Sequence, residues 1–405
     1  MKKIIKRYWL TVLLSFVLMF FSYIVSNIGF SLFGEYDVLK GVRAIQAFFE
    51  SEDHSVPDSI LLINVSNDRE LVQVKRDNIE VGNTDITDRA KLLQLLRWLK
   101  ETNSYRYILM DLVFDNNYTT EYDDSIYSLI ASMRNIGIVR TSEYDQMDDR
   151  IKKKAFWANY DINFWNSDLV KYPVIENDTG SITLHAYEEL TGRTLKRFGP
   201  LYFDGFHLAR RCIYPKMYIT EPEETPFQKV EDKDGFQQGD LFYYNLGFDV
   251  LESNTISEAK ILFDKKIIVI GEFDKAIDRH NTYAGEQPGA LVVLNVFISL
   301  MHNSHHIPLL LLVFLFVVFF ILIDYLLHYN EDRSALSLGE AWLGWNKKTI
   351  KRSIIPLALL WTYYSIMLTV ICSITFLVSG EAYDIFFTST LLSIMAWIVR
   401  IIKRK

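Results

Sequence analysis

The chain has 405 residues, of which 50% are hydrophobic and 23% are charged, and its formal net charge is −7 at pH 7. This length supports one or two sizeable domains. The two cysteines, Cys212 and Cys372, are too few for a disulfide-stabilised scaffold. Residues 35–303 carry 44 acidic and 30 basic side chains, which excludes nucleic acid as the main partner.

The N-terminal segment predicts a membrane anchor. No charged residue occurs from Tyr8 to Gly34, a stretch longer than the roughly 20 residues that a helix needs to cross a bilayer. Lysines and arginines precede it and no clear small-residue cleavage site follows, which favours an uncleaved anchor over a signal peptide. Residues 36–50 continue with apolar side chains at helical spacing and predict an amphipathic stalk.

Three further apolar segments lie near the C-terminus, at 307–327, 353–380 and 385–402. The third is short, and a re-entrant or interfacial helix is its alternative. Basic residues cluster at the N-terminus, in the 328–352 loop and at the C-terminus, and the positive-inside rule places all three clusters in the cytoplasm. Four membrane spans then place residues 35–303 outside, with both termini cytoplasmic.

The segment between the membrane helices alternates predicted strands with predicted helices. Continuous apolar runs indicate buried strands, at 59–68, 105–115, 136–140 and 265–271. Helical spacing indicates helices at 86–101 with Asp88 as N-cap, 123–135, 184–193 and 289–303. This order is typical of an α/β domain with a mainly parallel sheet.

Polar loops follow the strands of this predicted sheet. In parallel α/β sheets, ligands bind beyond the carboxyl ends of the strands. The residues at those ends form a candidate ligand site that comprises Asn64, Ser66, Asp68, Asp111, Asp115, Gly271, Asp278, His280 and Thr282. The alternative is that these are the polar loops of any such fold.

Metal-binding and catalytic motifs are weak in this sequence. Asp274, Asp278 and His280 could supply three ligands, but no HExxH or paired Cys/His motif supports a metal site. The neighbouring His305 and His306 are predicted at the membrane surface. The chain also has no GxSxG, no P-loop and no dinucleotide-binding glycine motif. No metal, no cofactor and no catalytic residue are therefore predicted, and the protein is expected not to be an enzyme.

Three stretches carry a family resemblance: SILLINVSND at 59–68, the helix and strand at 85–115, and the segment at 265–300. Together they make residues 36–327 resemble the second type of CHASE domain, an extracytoplasmic sensor family associated with cyclases and histidine kinases. The segment at 265–300 is the most specific of the three. Its matching positions are Gly271, Asp278, Thr282, Pro288 and Gly289.

The chain departs from the family pattern at two points. Tyr283 stands where a proline commonly follows the threonine, and no cytoplasmic kinase or cyclase module is present. The resemblance implies a sensor role, one span before the domain and three after it. The predicted domains are 1–34 with the first span, 35–303 as the sensor domain, and 304–405 with three spans.

The predicted function is that of a sensor-like protein in a bacterial inner membrane, with the lipid bilayer as one partner. Its outer domain would bind an unknown small ligand or protein and signal through the membrane helices to a separate output protein. A homodimer is one expected assembly. The rival interpretation is a structural or docking subunit of a cell-envelope complex.

Overall fold

The computed structural model describes residues 2–29, 37–42, 57–76, 79–140, 147–158, 168–176, 178–220, 243–252, 254–273, 278–328, 355–379, 388–395 and 398. The chain forms two compact units. The α/β unit comprises Ser51–Leu195 and Pro215–Asn303, and the helical unit comprises Met1–Glu50, Lys196–Tyr214 and Ser304–Lys405.

A six-stranded parallel sheet forms the centre of the α/β unit. With strands numbered along the chain, its members are β1 (Ile60–Asn64), β4 (Tyr107–Met110), β5 (Ile136–Val139), β6 (Ala155–Phe156), β15 (Tyr244–Asn245) and β16 (Ile267–Gly271). The strand order is β15-β1-β16-β4-β5-β6, and every neighbouring pair is parallel. The prediction of an α/β fold with a mainly parallel sheet is confirmed.

Helices cover both faces of this sheet. One face packs against α2 (Arg89–Thr102), α3 (Asp123–Ser132), α6 (Ile256–Phe263) and a π-helix (Leu246–Glu252). The other face packs against α5 (Ile182–Thr191) and α7 (Gly289–Met301). Along β1, Leu61 and Ile63 lie in the first core while Leu62 lies in the second. Because both faces are buried, the strands are continuous apolar runs.

Asp88 begins α2 as predicted. Its side chain accepts a hydrogen bond from Lys91 N at 3.0 Å, which satisfies one of the free N–H groups of the first turn. The helix ends at Asn103 in the left-handed conformation, and the N–H of Asn103 donates to Leu99 O. The polar residue before the leucine-rich run therefore marks the true start of the helix.

An antiparallel hairpin of β2 (Arg69–Arg76) and β3 (Ile79–Thr87) was not expected from the sequence. Leu71, Ile79 and Val81 on it are 70%, 65% and 55% exposed. Further strands among the described residues are β7 (Asp168–Leu169), β8 (Tyr172–Pro173), β9 (Ile175–Glu176), β10 (Thr179–Gly180), β14 (Cys212–Ile213), β17 (Arg279–Thr282) and β18 (Gly285–Pro288). Of these, β7, β17 and β18 form a small sheet, and a one-turn helix, α4 (Asp149–Lys152), precedes β6.

The helical unit contains α1 (Lys2–Ser26), α8 (Leu309–His328) and α9 (Ile355–Ser379). The rings of Phe16 and Phe316 lie 4.8 Å apart and join α1 to α8. Among the described residues, Tyr8–Ser26 is long and apolar enough to cross a membrane, while the apolar parts of α8 and α9 are shorter. The four-span topology stays a prediction, and nearly all of the 328–352 loop lies outside the described residues.

A short antiparallel meander also belongs to the helical unit. It consists of β11 (Leu195–Phe198), β12 (Leu201–Asp204) and β13 (His207–Ala209). Residues 196–214 fall within the predicted 35–303 domain, whose bounds stay a prediction. Residues 37–42 of the predicted stalk are helical, and the rest of the stalk lies outside the described residues.

Candidate functional site

The carboxyl edge of the parallel sheet gathers four of the predicted site residues. Asp111 directly follows β4, and its backbone N–H donates to Ile270 O at 2.8 Å, which holds it beside β16. Gly271 ends β16 in register with the end of β1. Asp278 and His280 follow on the next described segment, where Asp278 Oδ1 and His280 Nε2 are 3.2 Å apart.

The Asp278 carboxylate lies against the first turn of α7. Asp278 adopts a left-handed conformation with φ 45°, and its carbonyl accepts from Gly289 N at 2.9 Å. A Cβ at Gly289 would overlap Asp278 Oδ2, so glycine permits this close approach. The positive end of the α7 dipole favours a negative charge here.

Gly271 has a packing role at the same edge. A Cβ at this position would lie 2.5 Å from the Cβ of Ala290 and 3.4 Å from the Cβ of Asp111. The end of β16 can therefore pack closely on the start of α7 only without a side chain. This close packing places Asp111 near the pair of Asp278 and His280.

Asp111 has an unusual protonation equilibrium. Burial raises the pKa of its carboxyl to about 7, the Asp278 and Glu272 charges raise it as well, and His280 lowers it. Burial also raises the pKa of Glu272, although its ion pair with Arg69 opposes the shift. The edge therefore changes its charge near neutral pH, which is a property that polar loops rarely have.

Tyr172 is a neighbour of Asp111 that sequence reasoning missed. Its side chain is fully buried, and burial together with the Asp111 charge raises its pKa well above the ordinary tyrosine value. The hydroxyls of Ser181 and Thr183, which interact with Tyr172, are 2.8 Å apart. Because Tyr172 lies on the two-residue strand β8, no periodic pattern marks it in the sequence.

Asn64 and Ser66 connect the loops at the edge. Asn64 is fully buried, and its Oδ1 accepts from Ser66 N at 3.1 Å, from Ser66 Oγ at 2.7 Å and from Phe273 N at 3.1 Å. Its Nδ2 donates to Asn245 Oδ1 at 3.1 Å. Asn64 therefore ties the ends of β1, β15 and β16 together, as a scaffold for the site.

The other three predicted residues have hydrogen-bond partners outside the group of Asp111, Asp278 and His280. Asp68 accepts from Lys91 Nζ at 2.6 Å and from Gly247 N at 2.9 Å. Asp115 accepts from the backbone N of residue 117 at 2.8 Å, and Thr282 Oγ1 donates to the carbonyl of residue 285 at 2.7 Å. Asp274 lies outside the described residues. The set of predicted residues that meets at this edge of the sheet is therefore smaller than the predicted site.

Replacing Asn64 with alanine is expected to destabilise the α/β unit by about 2–3 kcal/mol, because Ser66, Phe273 and Asn245 lose their hydrogen-bond partner. Thermal unfolding of the purified full chain measures the effect. Asn67→Ala is the control, since Asn67 is exposed and donates to the same Asn245 Oδ1 at 3.2 Å. Equal losses of stability in the two variants would contradict the scaffold role.

Comparison with known proteins adds no family to this description. The resemblance to the second type of CHASE domain therefore stays a prediction. No family model matches the chain, and no curated protein or solved structure is significantly similar to it.

Proposed function

We propose that this chain is a membrane-anchored sensor-like protein whose α/β unit binds a ligand or a partner at the carboxyl edge of its parallel sheet. The observation that carries the proposal is the group of Asp111, Asp278 and His280 beside the first turn of α7. Binding sites of parallel α/β folds occur at this edge, and perturbed pKa values cluster at functional sites.

The chemistry of the group defines the class of ligand. Two carboxylates and an imidazole supply mainly hydrogen-bond acceptors, so they suit a polar ligand with a cationic or hydrogen-bond-donating group. Because Asp111 gains a proton near pH 7, the affinity for such a ligand falls as the pH drops through neutrality. The site would thus respond to both ligand and pH.

The topology that we propose has four membrane spans, with residues 35–303 on the outer side of a bacterial inner membrane. The apolar length of Tyr8–Ser26 supports anchoring. The basic clusters of the sequence support the orientation. Because the chain carries no recognisable catalytic motif, the signal would pass through the membrane helices to a separate output protein.

Cysteine labelling in intact cells tests this topology. In a chain carrying Cys212→Ser and Cys372→Ser, a membrane-impermeant maleimide is expected to label Asn281→Cys, which is exposed on β17. A matched Ser334→Cys, in the predicted cytoplasmic loop, is expected to react only after permeabilisation. Labelling of Ser334→Cys in intact cells, or protection of Asn281→Cys, would overturn the orientation.

A ligand screen on the purified full chain tests the site itself. Thermal shifts against a library of small polycationic and polyhydroxylated compounds should reveal compounds that stabilise the wild type. Asp278→Asn is expected to lose at least about tenfold in affinity for them, because one charge-assisted hydrogen bond disappears. Asp115→Asn serves as the control. Stabilisers that act equally on Asp278→Asn would place the binding site elsewhere.

A docking role in a cell-envelope complex is the second candidate function, and the β2–β3 hairpin favours it. Its exposed Leu71, Ile79 and Val81 are the kind of apolar side chains that partner surfaces bury. Changing all three to threonine should remove co-purifying envelope proteins if docking is the function. Under the sensor proposal, the same variant keeps its ligand response.

A further inference from the structure

We propose that Asp204, His305 and His306 form a binding site for zinc or a similar divalent transition-metal ion in the helical unit. Their ligand atoms all lie within 4.8 Å of one another. His305 Nε2 is 3.1 Å and His306 Nε2 is 2.7 Å from the same carboxylate oxygen, Asp204 Oδ2. Two imidazole nitrogens thus contact the same carboxylate oxygen.

Backbone hydrogen bonds hold the three residues in place. Asp204 ends β12 and pairs with His207 across the turn to β13. The segment with the two histidines runs alongside β13, where Arg210 N donates to His305 O at 2.9 Å and Ile307 N donates to Leu208 O at 2.8 Å. Ligands fixed on a small sheet in this way need little reorganisation to bind an ion.

The three proposed ligand side chains are largely buried. The side chains of Asp204 and His305 are 1% and 0% exposed, and that of His306 is 13% exposed. An ionised carboxylate out of water is costly unless it is paired or coordinates a metal. A divalent ion held by the three ligands would lie against the carboxylate and would use the lone pairs of the two imidazoles.

The types of ligand select the ion. Imidazole nitrogen suits zinc, copper, nickel and iron, whereas calcium and magnesium prefer sites built from oxygen. In a tetrahedral zinc site with bond lengths of about 2.0–2.2 Å, ligand atoms are roughly 3.3 Å apart. The distances of 2.7 and 3.1 Å are therefore about 0.6 and about 0.2 Å shorter than in that arrangement. Three protein ligands leave a fourth position for water or another group.

His207 orients one of the ligands. Its ring stacks on that of His306, with 4.7 Å between the centroids and 5° between the planes. This stacking restricts the orientation of the His306 ring. A bound ion would link Asp204, at the end of β12, to His305 and His306, which precede α8. It would thereby stabilise the packing of the meander on the segment before this apolar helix.

Metal analysis of the purified full chain tests the proposal. The protein carries a tag without histidine, is treated with EDTA in detergent, and is then given Zn²⁺. The wild type is expected to take up about one zinc ion per chain and to unfold at a higher temperature as a result. Asp204→Asn and His306→Gln should weaken zinc binding by more than the roughly 10–100-fold that losing an outer contact costs. His302→Gln, an exposed histidine close in sequence, is the control.

Several outcomes would overturn the metal site. Zinc uptake by His306→Gln equal to that of the wild type would show that the ion binds elsewhere. A wild type that takes up no zinc, but is stabilised by acidification, would show a carboxylate paired with a protonated histidine instead. Because Asp204→Asn alters a buried residue, the partly exposed His306→Gln decides the question if Asp204→Asn fails to fold.

Discussion

Replacing Asp123 with alanine is expected to destabilise the α/β unit by about 3–5 kcal/mol, because it leaves a buried arginine without its counter-charge. Arg89 is 2% exposed, and its Nε lies 3.5 Å from Asp123 Oδ1. Its guanidinium also lies 4.5 Å from the ring centroid of Phe114. Burial lowers the pKa of Arg89 and the Asp123 charge raises it, so the carboxylate keeps the cation tolerable in the core.

Thermal unfolding and pulse proteolysis of the full chain measure this loss. Asp124→Ala is the matched control, because its carboxylate is 83% exposed and pairs only at the surface with Arg150. We expect it to cost less than about 1 kcal/mol. The double variant Arg89→Met/Asp123→Leu should recover most of the stability, since apolar residues can replace a buried ion pair. Similar costs for Asp123→Ala and Asp124→Ala would contradict the argument.

Replacing Asp111 with asparagine is expected to stabilise the protein by about 1–3 kcal/mol at alkaline pH and to flatten its stability profile. The pKa of Asp111 rises from the ordinary 3.8 to about 7 in the folded protein. The folded state therefore binds this proton more tightly than the unfolded state does. The wild type therefore loses stability as the pH rises from 3.8, the ordinary pKa, to about 7, the pKa in the folded protein. Above the folded-state pKa, the loss of stability stays constant. Asparagine carries no charge to bury.

Unfolding temperatures at about pH 5 and about pH 8 test the sign of this effect. The stability advantage of Asp111→Asn over the wild type should be smaller at the acidic pH than at the alkaline one. Asp115→Asn changes the same type of side chain at the end of the same segment and should leave the wild-type profile unaltered. If Asp111→Asn keeps the wild-type slope, then Asp111 is ionised in the folded protein throughout this range.

The central sheet could be predicted because strands buried on both faces leave continuous apolar runs, as in Ile60–Asn64 and Ile267–Gly271. The first helix after β1 could be predicted from its leucine spacing and Asp88. β15 could not, since two residues, Tyr244 and Asn245, leave no pattern and depend on pairing with the distant β1. Long-range pairing decides such elements.

The candidate site was predictable in part for a related reason. The rule for parallel sheets brings Asp111 and Asp278 to one edge. The same rule also selected Asp68 and Thr282, whose hydrogen-bond partners are Gly247 N and the carbonyl of residue 285. A polar loop residue has the same appearance in the sequence whether it belongs to a site or holds a loop in place. The group of Asp204 and His306 was missed, since 102 residues separate them and no motif has that spacing.

The position of the meander has a practical consequence for protein production. A fragment of residues 35–303 would retain the meander but discard α1, whose Tyr23 hydroxyl accepts from Tyr202 N and donates to Ala209 O, each at 2.9 Å. In that fragment, Tyr202 N and Ala209 O would lose their hydrogen-bond partner. Unpaired main-chain groups at a strand promote aggregation. A gene that joins residues 51–195 to 215–303 through a glycine–serine linker omits the meander and so avoids these particular unmatched groups.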